Sequence, residues 1–167
     1  MILVAYASKY GATQEIADRI AKRLQKAGVQ AEAKPVAQIG DVGKPDAVIV
    51  GSALYQGGWI PEAAAFVRKN AGALARIPTW LFSVGPLATE VQDEEQPIEL
   101  AEFRDKISPQ HHAVFHGALQ QSKLDRNDRV TMKAVGAADG DFRDWDAIDA
   151  WVDQIAKSLA TKRSSAA

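Results

Sequence analysis

Short apolar runs alternate along the chain with stretches that are apolar on one side only. Ile2 to Ala7 is nearly continuous in its apolar character, the pattern of a strand buried on both faces of a parallel sheet. From Thr13 the period becomes helical. Ile16, Ala17, Ile20, Ala21, Leu24 and Ala27 form one face, Glu15, Arg19, Lys22, Arg23 and Lys26 form the other, and Gly28 supplies a stop. Val29 to Pro35 reads as a polar edge strand, Ala47 to Ser52 as a fully apolar one, and Thr79 to Val84 and Ala113 to Leu119 as the fourth and fifth. Between them Pro61 opens a helix with Ala63, Phe66, Val67 and Leu74 on one side, and Ile98 to Lys106 predicts another. The last helix runs from Asp146 to about Leu159, where Ile148, Trp151, Val152, Ile155 and Leu159 share a core-facing stripe. Strands alternating with helices predict an α/β domain, a parallel sheet covered on both faces with right-handed crossovers, over residues 1–161. Residues 162–167 read as a small, polar, disordered tail.

In such a sheet, ligands bind beyond the carboxyl ends of the strands. Three loops fall there. The first, Ser8-Lys9-Tyr10-Gly11-Ala12-Thr13, joins the first strand to the first helix. It can aim backbone N–H groups and the positive end of the helix dipole at an anion, with Ser8 and Thr13 adding hydroxyls and Gly11 leaving the approach clear of a Cβ. A phosphate monoester suits it; the alternative is a polar strand-to-helix turn with an incidental glycine. The second loop, Ser52-Ala53-Leu54-Tyr55-Gln56-Gly57-Gly58-Trp59, combines two aromatics with adjacent glycines. It offers either a stacking surface for a flat heterocycle or ordinary packing beside a Gly-Gly turn. The third, Ser83-Val84-Gly85-Pro86, is a tight turn with a serine in reach of polar ring edges.

Composition narrows the chemistry. The 167 residues hold 20 Lys and Arg against 21 Asp and Glu, and no basic stretch is interleaved with aromatics, so nucleic acid is not an expected partner. The absence of cysteine removes disulfides, thiolate catalysis and cysteine-held metal clusters, leaving redox chemistry to a bound organic cofactor. The chain opens directly on a strand, with neither a cationic leader nor a run of about 18 apolar residues, and a cytoplasmic setting is expected. Gly40 to Lys44 lacks the spacing and hydroxyl of a nucleotide-triphosphate loop, and no G-x-G-x-x-G follows the first strand. His111, His112 and His116 have no carboxylate at ligand spacing, so no metal site is expected. Glu90, Asp93, Glu94, Glu95, Glu99 and Glu102 form an acidic stretch, either solvated surface or a dock for a basic redox partner.

Tyr6 to Thr13, Val48 to Tyr55, Phe66 to Lys69, Phe82 to Val84 and Gly140 to Trp145 together resemble the flavodoxin family. Within it they are most similar to flavodoxin-like proteins related to menaquinone-dependent protoporphyrinogen oxidase. The resemblance runs along nearly the whole chain and implies a doubly wound five-stranded parallel sheet in the order 2-1-3-4-5. It also implies FMN, with no catalytic side chain and no metal. Ser8, Lys9, Tyr10, Gly11, Ala12 and Thr13 would hold the phosphate. Within the stretch of Ala53, Leu54, Tyr55, Gly57, Gly58 and Trp59, either Tyr55 or Trp59 would cover one ring face. The Gly57 carbonyl would turn toward the flavin N5 and favour the one-electron reduced form. Ser83, Val84, Gly85 and Pro86 would meet the pyrimidine edge. Three features depart from the family pattern: Tyr10 replaces a usual Thr, Val84, Pro86 and Leu87 stand where a stacking Tyr is common, and the net charge is near zero. The implied function is electron transfer to a redox protein or a quinone. Alternatives are quinone-dependent protoporphyrinogen oxidation and a binding module without cofactor. Residues 122–140, with Lys123, Arg126, Arg129 and Lys133 diluted by Asp125 and Asp128, offer only weak support for membrane contact.

Overall fold

The computed structural model describes residues 1–85, 96–134 and 139–166. Pro86, Leu87, Glu90, Asp93, Glu94 and Glu95 lie outside the described residues. Five long strands form the main sheet: β1 (Ile2–Ala7), β2 (Ala31–Pro35), β3 (Ala47–Tyr55), β5 (Thr79–Val84) and β6 (His111–Phe115). Their order is β2-β1-β3-β5-β6, parallel throughout, which is the expected 2-1-3-4-5 counted over the long strands. Every residue of β1 is buried, because strands flank it on both edges and helices cover both of its faces.

The two faces have separate cores. Ile2, Val4, Ile49, Trp80 and Phe82 pack with α1 (Ala12–Lys26) and α6 (Trp145–Ala166) on one side. Leu3, Ala5, Val48, Val50 and Leu81 pack with α2 (Pro61–Lys69), α3 (Ala71–Leu74) and α4 (Leu100–Ile107) on the other. The alternation follows from the two-residue period of a strand. α1 buries Ile16, Ala17, Ile20, Ala21 and Leu24 as its spacing requires, and the chain leaves it through Gly28 at φ +83°.

Three elements differ from the sequence expectation. β3 continues to Tyr55, and the chain turns through Gln56 and Gly57, both at positive φ, into the two-residue strand β4 (Gly58–Trp59), which pairs antiparallel with Leu54 and Tyr55. The second loop is thus largely a hairpin, its ladder obscured in the sequence by the Gly-Gly pair. The fifth strand stops at Phe115, and Ala118–Leu119 (β7) pairs instead with Gly140–Asp141 (β8). Between these two strands lie the helical turn Gln121–Lys123 and α5 (Arg126–Ala134). Finally, α6 runs on to Ala166, past the boundary placed at 161. Residues 145–166 contain neither glycine nor proline to stop it, and Lys162 reaches Gln110 at 3.4 Å.

The closest approach in the sheet is at Gly51. A Cβ built there would lie 1.9 Å from the Phe82 ring, which is itself fully buried against Phe115 and Trp151. Gly51→Ala should therefore destabilise the fold by about 1–3 kcal/mol through overpacking, read as a lower urea midpoint. An unchanged midpoint would show that the ring moves aside freely.

Candidate functional site

The carboxyl ends of β1, β3 and β5 meet at a cleft of about 120 Å³ lined by Ser8, Lys9, Tyr10, Ala12, Thr13, Ala53, Leu54, Tyr55, Val84 and Gly85. Ten of the sixteen residues expected from sequence are thus brought together. The cleft's first wall is the turn into α1. Gly11 adopts φ +95° with open space where a Cβ would stand, and its N–H donates to Ser8 Oγ at 3.1 Å. No side chain caps α1 at this position, so the N–H groups of its first turn face the approach with the helix dipole behind them. Gly11 lies on a neighbouring groove of about 430 Å³ that shares Tyr10 and Ala12 with the cleft.

The remaining expected residues lie elsewhere. Trp59 is buried in the core, packed on Phe103 at 5.2 Å between ring centroids, with Nε1 donating to Ser83 Oγ at 2.8 Å. Its backbone N–H donates to Glu99 at 3.1 Å. Ser83 is fully buried and also lies 2.7 Å from His112 Nε2. His112 is pushed down to about 4 by burial, with the Arg104 and His111 charges adding to it, and is neutral near pH 7. Ser83 therefore bridges two rings instead of facing the cleft. The Gly57 carbonyl accepts the Ile98 N–H at 3.2 Å, and Gly57 and Gly58 stand outside the cleft lining. Of the two aromatics, Tyr55 alone stands in the cleft. Pro86 lies outside the described residues.

Sequence reasoning missed the opposite wall, which comprises Ile60, Gly117, Ala118, Leu119, Leu124, Asp128 and Met132. Most of it belongs to the segment between β6 and α6. Asp128 is the centre of this wall and is only 3% exposed. Lys9 Nζ donates to it at 2.5 Å, the Tyr55 hydroxyl at 2.5 Å, and the Tyr10 hydroxyl makes a third bond. The Lys9 ammonium also sits 4.5 Å from the centre of the Tyr55 ring. Asp125 caps α5, its carboxylate accepting the Asp128 N–H at 2.8 Å. That Asp-x-x-Asp spacing was the available sequence signal for a helix start that puts Asp128 in the first turn.

The electrostatics follow from this geometry. Burial on its own would raise the Asp128 carboxyl, but the bonds from Lys9, Tyr10 and Tyr55 together outweigh it and hold the group at about 2. Lys9 is raised, chiefly by its bond to Asp128. Tyr55 is raised by the same carboxylate, and Tyr10 by burial and then by that carboxylate. Lys9 is more than a third exposed, so solvent screens its share.

Residues 3–146 match the family described as Flavodoxin domain. The chain belongs to that family. Among flavodoxin-fold structures it is similar to a flavodoxin from Streptococcus pneumoniae TIGR4 (TM-score 0.58, 17% identity, 96% of this chain and 98% of that one). It also resembles the rubredoxin oxygen:oxidoreductase of Desulfovibrio gigas (TM-score 0.66, 15% identity), covering 96% of this chain but spanning only 36% of that longer one. In sequence it is 25% identical over 174 residues to the protoporphyrinogen IX dehydrogenase [quinone] of Escherichia coli K12, covering 92% of this chain and 93% of that protein. Among the described residues no helix is long and apolar enough to cross a membrane, and no group of three or more His, Asp or Glu could hold a metal ion.

Because the docked Asp128 carboxyl titrates below its ordinary value of 3.8, its contribution to stability is complete above that value and is lost as pH falls through about 2. The groups facing it are Lys9, Tyr10, Tyr55 and Asp125. In an acid titration the tyrosine near-ultraviolet circular dichroism should change between these two values, and Asp128→Asn should lack that step. An identical titration in the variant would remove Asp128 as its origin.

Proposed function

We propose that this chain is an FMN-binding redox protein that passes electrons to a partner protein or a quinone. The observation that carries this reading is the turn into α1, of which Ser8, Lys9, Tyr10, Ala12 and Thr13 line a cleft floored by strand ends. The residues present fit the cofactor. The first-turn N–H groups and the Ser8 and Thr13 side chains suit a phosphate monoester. Lys9 adds a positive charge, Tyr55 provides an aromatic face at the end of β3, and Ala53, Leu54, Val84 and Gly85 provide an apolar, close-fitting floor. When bound, the flavin supplies the electron-transfer chemistry, and the protein's part is to bind, orient and shield it. Here Ser8 to Thr13 would set the position of the phosphate end and Tyr55 would cover the ring, while the buried Trp59-Ser83-His112 chain ties β4, β5 and the start of β6 together.

A second reading is oxidation of protoporphyrinogen with a quinone as acceptor. It is favoured by the match to the E. coli dehydrogenase, which extends over nearly the full length of both chains. Anaerobic mixing of the FMN-loaded protein with protoporphyrinogen and a menaquinone analogue tests it, porphyrin fluorescence being the expected product signal.

Fluorescence titration separates the phosphate from the ring. FMN should bind at least tenfold more tightly than riboflavin, a difference of about 1.4 kcal/mol or more. Gly11→Val forces a branched residue into φ +95° and fills the open approach. It should weaken FMN at least tenfold while leaving riboflavin nearly unchanged. Tyr55→Ala should weaken riboflavin as well as FMN, because the ring face it removes is one that both ligands would use. Equal affinities of the unmutated protein for FMN and riboflavin would remove the phosphate assignment.

A further inference from the structure

The packing of α5 is inverted. The helix buries a carboxylate, Asp128, and leaves Val130 63% exposed. Apart from half-buried Met132, every other residue of α5 is exposed. An apolar stripe would be indifferent to small anions; a helix whose buried contact is a carboxylate, with Asp125 at its start also 3.6 Å from Lys9, can be displaced by another anion offering the same acceptor oxygens. Asp128 draws its three bonds from Lys9, Tyr10 and Tyr55. Two of these residues belong to the phosphate loop and the third is the cleft's aromatic. With α5 docked, the cleft encloses about 120 Å³, against about 300–1,000 Å³ for an ordinary small-molecule site.

We propose that Asp128 is a built-in competitor for the anion that the first loop binds, and that α5 is a latch which a phosphate-bearing flavin must displace. This rests on the FMN reading above. In the closed state the carboxylate neutralises Lys9 and engages the Tyr55 hydroxyl, and Leu124 and Met132 follow it into the cleft. Entry of the ligand exchanges one anion for another at Lys9, so the cost of uncovering that cation is offset within the same step. Riboflavin, without a phosphate, has no group to make that exchange. The latch thus selects for the phosphorylated cofactor.

Hydrogen exchange of the full-length protein, read by mass spectrometry over residues 126–134, tests the latch alongside FMN titration. In the ligand-free protein, Asp128→Ala should speed exchange in α5 at least tenfold and leave β1 and β3 unchanged. The same variant should bind FMN about tenfold more tightly and associate faster. Asp128→Asn, which keeps the shape and removes the charge, should fall between the two and guards against a variant that merely folds poorly. In the unmutated protein FMN should speed exchange in α5, and inorganic phosphate should do so weakly at millimolar concentration. If FMN binds the unmutated protein and Asp128→Ala equally well, the latch is overturned while the cofactor reading stands. Unchanged exchange of α5 in Asp128→Ala also overturns it. Failure of both proteins to bind FMN overturns the latch and the cofactor reading together.

Discussion

A parallel strand buried on both faces can satisfy its backbone only through neighbours on both edges, and β1 is such a strand from end to end. Its register against β2 and β3 fixes where it stops, and so fixes where Ser8 begins the turn into α1. β3 and β5 are paired from Val48–Thr79 to Ala53–Val84, with Gly51 leaving room for the Phe82 ring opposite it. Three strand ends therefore arrive at one level, which brings Lys9 of the first loop over the Tyr55 ring of the second. The polar turn, the aromatic of β3 and the Val84-Gly85 floor converge because the core beneath them allows no slippage: a shift of one residue would turn Ile2, Val4 and Tyr6 to the opposite core.

What the core does not determine is the fourth wall. After Phe115 the chain leaves the sheet, and β7 and β8 form a ribbon beside which the Phe142 N–H donates to the Gly117 carbonyl at 3.1 Å. α5 lies between these two strands in sequence and meets the body through the Asp128 carboxylate, with half-buried Met132 lining the same cleft. Lys9 and the tyrosines of the cleft are polar groups awaiting an acceptor; Asp128 satisfies them within the chain. The cleft is thereby kept electrostatically balanced.

The fold was legible in the sequence because it rests on periodicity. The buried faces of α1 and α6 and all five strands follow from the spacing of apolar residues, and the strand order followed from the family resemblance. The hairpin at Tyr55 and the length of α6 were not read. The first depends on positive φ at Gln56 and Gly57, and the second on the absence of a stop signal in a polar stretch. In the candidate site, the position of the first loop at the mouth of the cleft was legible, because the change from strand to helical period brackets Ser8 to Thr13. Trp59 and Ser83 were misplaced because a strand-end residue can point to ligand or to core, and only the alternation along the two-residue β4 and along β5 decides which. Asp128 was hidden for a different reason. It stands in a stretch whose charges look like solvated surface, 119 residues from the lysine it meets.

The departure at position 10 and the presence of Asp128 are one feature seen from two sides. A threonine there would carry only a short hydroxyl, confined to the loop itself. Tyr10 instead carries its hydroxyl outward, where it donates to Asp128 and accepts the Asp125 N–H at 3.4 Å. The same hydroxyl thus touches both the buried carboxylate and the cap of α5, tying the start of that helix to the first loop. The hydroxyl lost to the loop is regained as a tether, so the loop and the segment that closes over it form one polar network.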